Sequence, residues 1–156
     1  MSMRIFLADC VLDVDVERTR AFYDRPDVLT AGAQCSCENC RNFDGAILKA
    51  SASVLDFLRS FGIDPQKPVE VYNVTGKREL EGTVWYNGWY HVCGTVVSRS
   101  EAKGQKYCPD PNFPFSVFPG AETELLHRKF PRPALQLEID THLPFVLPEP
   151  PGLPEQ

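Results

Sequence analysis

Residues 81–97, E-G-T-V-W-Y-N-G-W-Y-H-V-C-G-T-V-V, carry the densest β signal in the chain. β-Branched and aromatic side chains dominate them, and these types suit a pleated, half-buried surface. At the centre stands Asn87-Gly88. Asn-Gly between two β-rich runs predicts a two-residue hairpin turn, because both central positions of a type I′ turn need positive φ. Such a turn sets Tyr86 opposite Trp89, Val84 opposite His91 and Gly82 opposite Cys93. One face then holds Val84, Tyr86, Trp89, His91 and Cys93, and the other holds Thr83, Trp85, Tyr90 and Val92. Aromatics on both faces imply a hairpin that is central or covered on both sides.

Upstream lies C-S-C-E-N-C-R-N-F-D-G-A-I-L-K-A-S-A-S-V-L-D-F-L-R-S-F-G, residues 35–62. Cys40, Phe43, Ile47, Ala50, Val54, Phe57 and Phe61 recur at spacings of three and four, which is one apolar stripe of a helix. The spacing predicts one long helix over about 36–62. Ser36 is its expected N-cap, Glu38 favours its first turn, Gly62 supplies a left-handed end, and Pro65 prevents continuation. Gly45 and the Ser51/Ser53 pair weaken the middle and mark a place for a kink.

The remaining segments read as strands and loops. Residues 3–17 predict a long strand, in which Leu12, Val14 and Val16 alternate with Asp13, Asp15 and Glu17. Those three carboxylates suit either a hard cation or a solvated edge. Residues 18–34 lack a period and read as a loop; 69–74 read as a strand and 99–112 as an exposed loop. Residues 113–118 form a short strand whose Pro114 suits an edge. In 134–140, Leu135, Leu137 and Ile139 face inward. Eleven of the 14 prolines follow residue 108, and 144–156 read as an extended proline-rich tail. The expected architecture is a single α+β domain over 1–143. One long helix lies across a curved, mainly antiparallel sheet of about five to six strands.

Bulk properties narrow the function. The 156 residues suit one domain with a real core, and the net charge of −5 comes without a basic stripe, so no nucleic-acid partner is expected. The basic knot at His127, Arg128, Lys129 and Arg132 reads as a solvated turn. Neither an export signal nor an apolar run of membrane-spanning length is present, so a cytoplasmic protein with reduced thiols and no membrane partner is expected. A protein partner or self-association would use the aromatic hairpin or the tail.

The chemistry concentrates in the six cysteines. Cys37 and Cys40 share a face of the expected helix, and His91 and Cys93 share a face of the expected hairpin. Together they make a Cys₃His set for tetrahedral zinc, with Cys35 as an alternative ligand. Cysteine is also among the most buried residue types, and plain packing accounts for the same residues. The C-x-x-C spacing at a helix start resembles that of thioredoxin-like proteins, in that spacing alone. No phosphate-binding loop, nucleophile elbow or zinc-protease motif accompanies it. The leading expectation is a non-enzymatic binding or accessory domain with a structural zinc at the helix N-terminus. The alternative is a thiol-dependent redox or metal-handling protein that uses Cys35, Cys37 and Cys40.

Overall fold

The structure, a computed structural model, describes residues 2–7, 10–79, 82–99, 107–118 and 127–148. Residues 100–106, part of the expected loop, lie outside the described residues, as do residues 119–126 and residues 149–156 of the expected tail.

The Asn-Gly stretch does not turn. Thr83–Arg99 is one 17-residue strand, β4. It pairs antiparallel with β7 (Ala134–Pro144) in unbroken register from Thr83↔Pro144 to Cys93↔Ala134. On its other edge β3 (Glu70–Asn73) pairs with residues 86–89, and β2 (Cys10–Val14) pairs with residues 94–99. A Cβ at Gly88 would stand 2.6 Å from the Glu70 carbonyl oxygen, and one at Gly94 would stand 2.4 Å from that of Asp13. Glycine in a strand interior marks a place where another backbone comes close. The two glycines of β4 are the places where β3 and β2 press against it.

Between those two neighbours, among the described residues, the edge of β4 has no strand beside it, and α1 (Val16–Tyr23) closes the gap with side chains. The Tyr23 hydroxyl donates to the His91 carbonyl (2.8 Å) and accepts from the His91 N–H (3.1 Å). Thr19 Oγ1 accepts from the Cys93 N–H (3.0 Å), and the Asp15 N–H donates to the Cys93 carbonyl (2.8 Å). Burial pushes the Tyr23 phenol well above its usual range, so it stays a hydroxyl able to donate.

The full sheet has seven strands among the described residues, in the order β1-β2-β4-β7-β6-β5, with β3 added on β4. β1 is Met3–Phe6, β5 is Tyr107–Asp110 and β6 is Phe113–Phe118. Every pairing is antiparallel, and the sheet is open, with β1 and β5 at its ends. The expected five to six strands were too few. The expected strand 3–17 divides into β1, β2 and the start of α1. Leu12 and Val14 bury as the strand period demands, and Val16 buries as the first residue of α1. Asp15 caps α1 by accepting from the Arg18 N–H (3.0 Å), so the chain leaves the strand there. The segment expected as a loop over 18–34 holds most of α1 and the single-turn α2 (Ala31–Gln34).

The single long helix is also replaced. α3 runs Glu38–Ala46, a 3-10 turn follows at Ile47–Lys49, and α4 runs Ala52–Ser60. Ala50 and Ser51 are extended, and Ser51 Oγ accepts from the Val54 N–H to cap α4. A serine competes for backbone donors, which ends one helix and starts another. The apolar stripe survives this break. Phe43, Ile47, Val54 and Phe61 are all buried. α3 and α4 set that stripe against the sheet face of Tyr86, Tyr90, Phe115, Leu137 and Ile139, with Phe43 edge-on to Tyr86 and Phe57 beside Phe115.

Tyr23→Phe keeps the ring and strips the hydroxyl from a buried donor and a buried acceptor. It is expected to lower the unfolding free energy by about 2–3 kcal/mol in urea titration, and a loss below about 0.5 kcal/mol would contradict the edge role. Gly88→Ala is expected to cost about 1–3 kcal/mol, because the added methyl meets fixed backbone. Were Asn87-Gly88 a turn, the same substitution would leave the register of β3 on β4 untouched in amide-exchange measurements.

Candidate metal centre

Cys35, Cys37 and Cys40 converge where α2 meets α3. Asp44, near the end of α3, clamps α2 by accepting from the Gly32 N–H (3.0 Å) and from Thr30 Oγ1 (2.9 Å). A Cβ at Gly32 would lie 2.5 Å from Asp44 Oδ2, so a side chain there would push the clamping carboxylate aside. The clamp folds the chain back after Gln34, and Arg41 Nε holds the return by donating to the Ser36 carbonyl (3.2 Å). Cys37, and not Ser36 as expected, is the N-cap of α3. Its Sγ accepts from the Cys40 N–H at 3.4 Å.

The opposite side of α3 is tied to the sheet through Asn42, which is fully buried. Its amide nitrogen donates to the Tyr86 hydroxyl and the Pro144 carbonyl, and its oxygen accepts from the Val146 N–H (2.7 Å). Tyr86 in turn donates to the Asn39 carbonyl (2.7 Å). The cluster therefore sits on a helix whose position is set on both flanks.

The ligand atoms of the three cysteines all lie within 4.8 Å of one another. Zinc bonded to thiolates at about 2.3 Å separates them by about 3.8 Å, so the three sulfurs stand within about 1 Å of that spacing. Cys35 and Cys37 are exposed, and Cys40 is 9 % exposed at the core margin. The thiols differ in acidity. For Cys37 burial acts upward. The hydrogen bonds from the Cys40 backbone, from the Cys35 and Cys40 thiols and from the Asn39 backbone outweigh it and leave the thiol below its ordinary value. Burial, then hydrogen bonds to Cys37 and Cys35 and their charge, push Cys40 up to about 12. Burial, and then the charge of the same thiols and of Glu38 against the opposing Asn42 hydrogen bond, push Tyr86 up to about 12, so its hydroxyl remains protonated.

The expected Cys₃His set does not assemble. Among the described residues the metal-competent group holds Cys35, Cys37 and Cys40 alone. With no hairpin, β4 runs straight on, and His91 lies five residues from Tyr86, about 16 Å along the strand. His91 and Cys93 also alternate to the face opposite Tyr86. His91 is fully buried, its Nε2 is 3.2 Å from Gln136 Oε1, and its ring meets Phe130 edge-on. Its Nδ1 has no hydrogen-bond partner among the described residues. Cys93 is buried, and burial raises its thiol.

Asp44, Asn42 and Tyr86 support the cluster without being read from the sequence. Asp44 and Asn42 fall off the apolar stripe, so helical periodicity marks them as solvent-facing. The Asp13, Asp15 and Glu17 face is divided, because Asp15 and Glu17 belong to the start of α1. Comparison with protein-family models, with curated proteins and with solved structures finds no match to this chain.

His91 gives a prediction in pH. Burial lowers its pKa below 6.5 despite the opposing Gln136 hydrogen bond. The unfolded chain takes up a proton near pH 6.5 that the folded chain refuses. The histidine's contribution is therefore complete above pH 6.5 and declines as pH falls toward the folded-state value. His91→Gln is expected to remove a slope of up to about 1.4 kcal/mol per pH unit over the range from pH 6.5 down to the folded-state value. Urea unfolding of both proteins across that range measures it, and parallel curves would refute it.

Proposed function

We propose that this chain is a non-enzymatic metal-handling domain that takes up zinc through Cys35, Cys37 and Cys40. The observation that carries this reading is the convergence of the three sulfurs within 4.8 Å at the protein surface. Thiolates are soft ligands that select zinc and similar ions. A helix N-terminus favours the negative charge that thiolates bring.

A handling role is favoured over the structural zinc expected from the sequence. Asp44, Asn42 and Tyr86 hold α2 and α3 by hydrogen bonds that do not pass through the sulfurs. Three protein ligands leave a fourth position for water or an incoming ligand, which is the pattern of sites that exchange. Ion transfer implies a protein partner. Cys35, Cys37, Cys40, Cys93 and Cys108 are not joined in disulfides, which fits a reducing compartment such as the cytoplasm. No helix among the described residues is long and apolar enough to cross a membrane.

A second reading, thiol redox work, draws on the position of Cys37 as N-cap with Cys40 one turn on. Zinc titration of the reduced chain against a chromophoric chelator separates the two. The expected result is about one zinc per chain. Cys37→Ser and Cys40→Ser should each weaken binding at least tenfold, about 1.4 kcal/mol, and His91→Gln should leave it unchanged. Metal-free protein whose Cys37 is alkylated faster than Cys108 transfers the assignment to the redox reading.

A further inference from the structure

We infer that the same thiol cluster selects a trivalent thiophilic metalloid of the arsenous acid class, held as a neutral tris-thiolate. The inference rests on the metal-binding reading above and names the ion class that its geometry fits best.

Ligand number comes first. Among the described residues, three sulfurs converge and no imidazole or carboxylate joins them. Two neighbouring polar side chains, those of Tyr86 and Asn73, are already engaged. The Tyr86 hydroxyl donates to Asn39 and accepts from Asn42. Asn73 donates to the Asn39 side chain and to the Lys77 carbonyl. Tetrahedral zinc needs a fourth ligand from outside. A trivalent metalloid forms a three-coordinate pyramid and needs none.

Charge points the same way. Three thiolates with a monovalent ion carry −2, with a divalent ion −1, and with a trivalent centre zero. Cys40 is 9 % exposed, and it lies close enough to the buried Tyr86 for its charge to act on that hydroxyl. Charge left at such a margin loses solvation. Glu38 adds a negative charge in the first turn of α3, and the whole chain carries −5. The N-terminus of α3 offsets part of that cost for a charged complex, and burial together with Glu38 penalises the neutral complex least.

The step is a condensation. Three S–H bonds and three As–OH bonds break, three As–S bonds form, and three waters leave. Arsenic stays trivalent, and no oxidant or reductant takes part. Cys35 and Cys37, both exposed, admit the hydroxide, and Cys40 closes the pyramid from the core side.

The test uses the full reduced chain with arsenous acid as probe, read by native mass spectrometry and by a parallel zinc titration. The expected result is one arsenic per chain with three protons lost. Cys35→Ser, at an exposed position, should weaken binding at least tenfold, and Cys108→Ser should not alter it. Equimolar arsenous acid should displace bound zinc. Zinc binding without arsenic binding overturns this inference and leaves the metal-binding reading standing. Equal arsenic binding by Cys35→Ser overturns it by showing a two-thiol chelate. Failure of both ions to bind removes the inference and the reading together.

Discussion

The Tyr23 hydroxyl on the His91 backbone is the contact that the rest of the fold depends on. β4 meets β2 and β3 on one edge, and the two leave a gap between them. Buried backbone donors and acceptors must find partners. Without Tyr23 and Thr19, the most central strand would carry open hydrogen-bonding groups inside the core. A single helix turned side-on therefore lets one strand serve two neighbours on one edge and β7 along the other.

This arrangement also decides which chemistry the molecule can host. Because β4 continues through Asn87-Gly88, its two ends are far apart. His91 is sealed under Phe130 and Gln136, and the thiols gather over the Tyr86 end. The thiol group owes its shape to Asp44 and Asn42, each saturated by contacts with segments distant in the chain.

Much of this is legible in the residues. The α+β composition, the antiparallel sheet, the apolar stripe from Cys40 to Phe61 and the inward set of β7 all follow from periodicity. So does the thiol cluster, because three cysteines in six residues remain neighbours in almost any local conformation. Asn87-Gly88 misleads because local turn preference and tertiary close approach both ask for glycine, and only the partner strand distinguishes them. The break at Ser51 misleads because the apolar stripe continues across it. The expected pairing of thiols with His91 inherited the hairpin register and fell with it. Asp44 and Asn42 carry no pattern, since a buried polar residue is recognised by its partners and not by its spacing.

The anchoring of Asn42 bears on when the thiol cluster becomes ordered. Its partners at Pro144 and Val146 lie 102 and 104 residues downstream. Tyr23 and His91 are separated by 68 residues. Contacts of such separation close late, because the chain must first lose loop entropy that they alone repay. During synthesis the cysteines emerge long before the strand that fixes α3. The nascent chain therefore passes through a period in which its thiols are displayed on an unanchored segment, and they take up their folded spacing only when β7 arrives.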